Sequence, residues 1–227
     1  LVGQAEGKSD ICGRELPVRF WTKPAAAKQA PLPTVIAVVG PYRGGTSAVA
    51  GAMHHLGIIM GHQFFSGGRG ASPKGCFEAK HLFDICLACY PEPKFVPGRP
   101  YKKRVELLRG WLVGRRSGEA VIGAKHPKFC LMVPELLEAW PGCKFVVVHR
   151  PVGESVESLT KLGWWSKVQQ PETLIRRMVS ERDAALARAP ELRVQVLRND
   201  ERTERPVRDR RSRVENTARV ELEGLSL

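Results

Sequence analysis

The chain has 227 residues, 43% of them hydrophobic and 26% charged, which supports one buried core and excludes a small disulfide scaffold or a wholly disordered chain. Its 36 Lys and Arg against 23 Asp and Glu give a formal charge of +13, pointing to an anionic partner such as nucleic acid, a membrane surface or a phosphate-bearing ligand. The longest apolar runs, Val35 to Val39 and Phe145 to Val148, are strand-sized, whereas a membrane span needs about 20 apolar residues.

Residues 1–33 show no sustained period, and Lys23 to Pro33 reads as a Pro/Ala linker. Leu1 to Lys8 lacks a basic stretch leading into an apolar one, so no signal peptide is expected there. The domain proper is expected over residues 34–197. Val35 to Val39 is a β-branched run ending at Gly40, the pattern of a strand buried on both faces. From Thr46 the pattern turns helical through Val49, Met53 and Leu56 and stops at Gly57. Residues 64–76 read as a loop, Glu78 to Cys89 as a helix, Val105 to Val113 as another, and Val121 to Ala124 as a short strand. A helix from Cys130 to Trp140 follows, then a second clear strand over Lys144 to His149. Helices through Val156, Leu159 and Leu162 and from Glu172 to Arg188 precede a last strand at Leu192 to Leu197. Strands alternating with helices predict an α/β fold, a three-layer α/β/α arrangement around a parallel sheet. Residues 198–227 open with an Arg-rich stretch and read as a solvated tail or frayed helix.

Cysteines at 12, 76, 86, 89, 130 and 143 fall in predicted core elements as often as in loops, which favours reduced thiols and a cytoplasmic location. Cys86-x-x-Cys89 has no second pair at zinc spacing and reads as two buried helix cysteines. No metal is expected.

The sharpest motif is Gly40-Pro-Tyr-Arg-Gly-Gly-Thr-Ser47, set between the first strand and its helix. It nearly spells the Walker A pattern, with Thr46 where the lysine belongs. Glycines still let backbone amides approach an anion at a helix N-terminus. The lysine that reaches β and γ phosphates is missing, and the strand ending in His149-Arg150 offers a cation where a triphosphatase wants a magnesium-binding Asp. Such a loop suits a nucleotide with fewer phosphates, held by amides, hydroxyls and Arg43. Arg150 should emerge on the same sheet edge as the loop, because parallel strands end together.

These residues resemble the sulfotransferase family, and bacterial members most closely. Tyr42-Arg43-Gly44-Gly45-Thr46-Ser47 is similar to that family's loop for 3′-phosphoadenosine-5′-phosphosulfate, with departures at Tyr42 and Gly44. Phe145 to Arg150 followed by Ser158 is similar to its 3′-phosphate site, with Ser155 as the fallback hydroxyl. Ser72-Pro-Lys-Gly-Cys-Phe-Glu78 and Lys125-His126-Pro127-Lys128 are similar to two further bacterial segments, His126 replacing an Asp. The resemblance spans about residues 34–163.

It implies a P-loop-like fold and in-line transfer of a sulfuryl group from that donor to an acceptor hydroxyl or amine, on a small molecule or a glycan. Arg150 and Ser158 would hold the nucleotide's 3′-phosphate and Arg43, Gly45, Thr46 and Ser47 its 5′ end, with Gly44 in the same loop, and Arg43 and Lys125 would stabilise the charge that develops. His126 or Glu78 would take the acceptor proton, with His126 favoured because a neighbouring cation keeps the imidazole neutral. Acceptor selectivity would sit in residues 62–75 and 90–104. Two rival readings are a degenerate P-loop enzyme that binds ATP with Mg²⁺, and a nucleic-acid binder using Arg99, Lys102, Lys103, Arg104, Arg109, Arg115 and Arg116.

Overall fold

Thr34–Val39 forms β1, and it lies inside a four-stranded sheet whose strands run in the order Val121–Lys125 (β2), β1, Lys144–His149 (β3) and Val194–Arg198 (β4), every pairing parallel. The computed structural model describes residues 31–66, 75–115, 119–162 and 170–189, and the backbone of 194–198. After β1 come α1 (Thr46–His55), α2 (Lys80–Cys89), α3 (Tyr101–Val113) and β2 (Val121–Lys125). A 3₁₀ turn over Pro127–Leu131 leads into α4 (Val133–Ala139). Then follow β3 (Lys144–His149), α5 (Val152–Lys161), α6 (Pro171–Ala187) and β4 (Val194–Arg198).

The two strands expected from their β-branched runs are direct neighbours, with Val39 opposite Val147. On the other side of β1, Val38 lies opposite Lys125. This register ends β1, β2 and β3 at one edge, so Gly40, His126 and Arg150 leave the sheet together.

Alternation along the strands supplies the two cores. Val35, Ala37, Val39, Ile122, Ala124, Phe145 and Val147 pack with the apolar faces of α2, α3, α4, α5 and α6. Ile36, Val38 and Val148 pack with Ala50 and Met53 of α1 and with Met60. The result is the expected three-layer α/β/α fold. Trp111, Phe129 and Trp140 meet in the first core, and Trp140 Nε1 donates to the Leu108 carbonyl at 3.0 Å. Beyond β2, Ile59 makes a parallel bridge to Ile122 and accepts the Gly123 amide at 3.0 Å. A Cβ at Gly123 would lie 2.0 Å from Met60 Sδ, so a larger residue there requires the Met60 side chain to move.

Three expected helices differ, and the first, expected over Val105 to Val113, begins already at Tyr101 after Pro100. The helix expected over Cys130 to Trp140 is split, because Pro134 has no amide hydrogen to donate to Cys130 and can sit only in the first turn of a new helix. The helix expected from Glu78 begins at Lys80. Ala79 is extended, with the Phe65 amide donating to the Glu78 carbonyl at 2.8 Å and the Lys80 amide to the Gln63 carbonyl at 2.9 Å. Cys86 and Cys89 are fully buried in α2, where burial pushes the Cys89 thiol up to about 11. No helix among the described residues is long and apolar enough to cross a membrane. Most of the linker, Ser72 to Lys74, Arg116 and the Arg-rich stretch beyond Arg198 lie outside the described residues.

Candidate functional site

The glycine loop begins with a tight turn that the Gly44 amide closes on the Pro41 carbonyl at 3.0 Å. Arg43 occupies its third position at φ 60, the left-handed region where a side chain is disfavoured by about 1–2 kcal/mol. Gly45 follows at φ 93 and is the N-cap of α1, with no side chain satisfying the first amides of that helix. Those orphan amides and the helix dipole favour an anion. Gly40 has no room for a Cβ, which would lie 2.7 Å from Thr46 Cγ2 and 3.0 Å from the Val148 carbonyl oxygen. The loop is therefore pressed onto the end of β3. Thr46 is buried and faces this contact.

Before the glycines, two arginines and a serine converge. Arg43 Nε donates to Ser158 Oγ at 3.0 Å, and one Arg150 Nη1 hydrogen goes to the Arg43 carbonyl at 2.8 Å. Arg150 Nε donates to Glu154 Oε2 at 3.1 Å. Ser158 accepts from Arg43 and so keeps its own hydroxyl proton to donate. Ser155, one turn earlier on α5, is fully buried with no partner for Oγ among the described residues. Its hydroxyl does not join the pair of arginines, so Ser158 is the serine that the fold brings to Arg43.

After the glycines lies a second cluster. Lys125, at the end of β2, donates to Glu78 Oε1 at 2.5 Å, to Ser47 Oγ at 3.1 Å and to the Cys76 carbonyl at 3.2 Å. Three acceptors match the three ammonium hydrogens. The Lys125 and Glu78 side chains are 2% and 8% exposed, so this is a buried ion pair whose partners cannot be removed singly at low cost. Glu78 Oε2 lies 3.9 Å from His126 Nε2.

His126 is 2% exposed, and its Nδ1 accepts the Lys128 amide at 3.0 Å, capping the 3₁₀ turn. Burial, then Lys128, then Lys125, hold its pKa well below the ordinary histidine value. The imidazole is neutral with the hydrogen on Nε2, so its one lone pair is committed to the backbone.

A third group ties the loop down from behind. Tyr42 Oη donates to Glu92 Oε1 at 3.2 Å, and the same oxygen lies 3.3 Å from Nζ of Lys128, which is fully buried. Lys128 also lies over the Phe95 ring at 5.3 Å, and burial lowers its pKa although Glu92 opposes this. Neither Tyr42, Glu92 nor Lys128 is foreseeable as a group, because only the fold brings residues 42, 92 and 128 together.

One residue of the basic patch in the nucleic-acid reading lies in the interior. Arg104 is 7% exposed and pairs with buried Glu135 at 2.6 Å, Lys103 pairs with Glu106, and Arg109 donates to the Glu138 carbonyl. Arg104 is an interior residue because Glu135 needs a counterion in the α3/α4 interface.

No protein-family model matches the chain, and no curated protein matches it. Among solved structures, it is similar to the sulfotransferase domain of the olefin synthase of Synechococcus PCC 7002, with a TM-score of 0.43 and 13% identity over 79% of this chain and 70% of that one.

Proposed function

We propose that the protein is a sulfotransferase that moves a sulfuryl group from 3′-phosphoadenosine-5′-phosphosulfate to an acceptor hydroxyl or amine. The observation that carries this reading is the pair of cation and hydroxyl clusters flanking one glycine loop, Arg43, Arg150 and Ser158 on one side and Ser47, Lys125 and Glu78 on the other. A nucleotide with a 3′-phosphate and a separate 5′ anionic group matches two such clusters, and the motif resemblance read from the sequence points the same way. Arg150, Ser158 and Arg43 would hold the 3′-phosphate, and Gly44, Gly45, Thr46 and Ser47 the 5′ end. The donor supplies an activated sulfuryl group in a phosphosulfate anhydride. Lys125 is then the cation at the transfer end, whereas Arg43, expected there and at the 5′ end, is assigned to the 3′ side because its side chain is turned toward Ser158.

On this reading Glu78 is the better proton acceptor and His126 a positioning residue. His126 has no uncommitted lone pair, whereas Glu78 Oε1 is engaged by Lys125 and Oε2 is left to receive a proton. The Lys125 ammonium fixes the carboxylate in place, and the neutral imidazole lies 3.9 Å from its other oxygen.

Titration of the purified protein with adenosine 3′,5′-bisphosphate and, in parallel, with ATP and Mg²⁺ tests the proposal. Tight, metal-independent binding of the bisphosphate is expected. Binding of ATP alone, and only with Mg²⁺, would overturn it in favour of a degenerate P-loop enzyme.

A further inference from the structure

We infer that Glu154 is a built-in counter-anion of the two-arginine cluster, which holds Arg150 in position and competes with the nucleotide's 3′-phosphate for it. The inference rests on the sulfotransferase reading of that cluster and adds a residue that sets nucleotide affinity and release.

Glu154 and Ser158 are four apart on α5 and therefore lie on the same helix face, one turn above the other. That face meets both arginines, Glu154 pairing with Arg150 Nε at 3.1 Å and Ser158 with Arg43 Nε at 3.0 Å. Arg150 is also joined through Nη1 to the Arg43 carbonyl, so the two cations belong to one unit. A guanidinium grips phosphate best through two parallel N–H groups. With Nε on Glu154 and one Nη1 hydrogen on Arg43, the edge of the fork that includes Nε is already occupied by a carboxylate. A phosphate that takes this edge displaces Glu154. One that takes the other edge sits beside a like charge.

Either way the carboxylate opposes the bound dianion, and its return to Arg150 accompanies departure of the bisphosphate. The Arg150 and Glu154 side chains are 26% and 32% exposed, open enough for exchange. Glu157 supplies a contrast on the same helix, since its carboxylate pairs with Lys161 at 2.6 Å.

The test is calorimetric binding of adenosine 3′,5′-bisphosphate and of adenosine 5′-monophosphate to the full chain and to Glu154→Gln, Glu154→Asp and Glu157→Gln. Glu154→Gln is expected to tighten the bisphosphate by roughly tenfold at low salt, with a smaller gain at high salt, and to slow its dissociation. The monophosphate should change by less than about twofold, as should both ligands with Glu157→Gln. Glu154→Asp keeps the charge and should fall between wild type and Gln. A merely structural Glu154 would weaken binding when replaced. Unchanged or weaker bisphosphate binding by Glu154→Gln, with wild-type binding intact, overturns this inference alone. Failure of the wild type to bind either nucleotide overturns the functional reading and this inference together.

Discussion

Arg43 and Ser158 stand 115 positions apart in the chain and meet through one hydrogen bond, Nε to Oγ at 3.0 Å. The contact joins the loop after β1 to the helix after β3, two segments that reach the same edge because β1 and β3 are adjacent and parallel. On the proposed function, a nucleotide bound there would touch both segments at once.

Arg150→Ala should weaken adenosine 3′,5′-bisphosphate by about 10- to 100-fold, the loss expected for charged hydrogen bonds. Adenosine 5′-monophosphate, which lacks the 3′-phosphate, should lose less than about threefold. Isothermal titration of both ligands decides it, and equal losses would show that Arg150 does not contact the 3′ group.

Lys125→Met should lower unfolding stability by about 3 kcal/mol or more in denaturant melts, because Glu78 is left buried without its cation. The double variant Lys125→Met with Glu78→Gln should recover most of that stability and remain without transferase turnover. Recovery of turnover along with stability would mean that the pair serves the fold alone.

His126 makes stability depend on pH. Its folded pKa is depressed, chiefly by burial, so the unfolded chain takes up a proton near the ordinary value of about 6.5 while the folded protein does not. The contribution of the neutral, capping imidazole is complete above that pH and is lost as pH falls below it, by up to about 1.4 kcal/mol per pH unit. His126→Asn keeps an oxygen able to accept the Lys128 amide and should flatten this slope in urea melts between pH 7 and 5. An unchanged slope would assign the pH dependence to other groups.

Arg43→Gly removes a side chain from a left-handed backbone position. Thermal unfolding should show stability held or raised by up to about 1 kcal/mol, while bisphosphate affinity falls by about tenfold or more. A large loss of stability would mean that the Arg43 contact with Ser158 supports the fold.

Much of the architecture is legible in the chain. The β-branched runs at Val35 and Phe145 announce strands covered on both faces, and the glycine loop between strand and helix marks the edge where ligands gather. The split before α4 follows from Pro134, a residue in plain view whose missing amide outweighs an otherwise helical apolar pattern. The second cluster is harder to read. Glu78 and Lys125 are 47 positions apart, and nothing local to either says that they share a hydrogen bond. The pairing of Arg150 with Glu154 was within reach, since the two are four apart at the start of a predicted helix, as was the burial of Arg104 against the acidic Glu135. The state of His126 was not, because it depends on where the Lys128 amide points.

Gly123 and Met60 have a consequence for how the protein behaves in a crowded solution. A strand at the margin of a sheet exposes a row of unpaired amides and carbonyls on which a neighbouring molecule can build. On the β2 side, Ile59 takes the Gly123 amide and Met60 fills the space a side chain would occupy, so the sheet is capped by its own chain. A residue larger than glycine at 123 has to displace the Met60 side chain, next to the Ile59 that forms the cap, and so loosens the cover over β2. Substitution at this position, far from either arginine, should therefore be felt first as self-association on concentration.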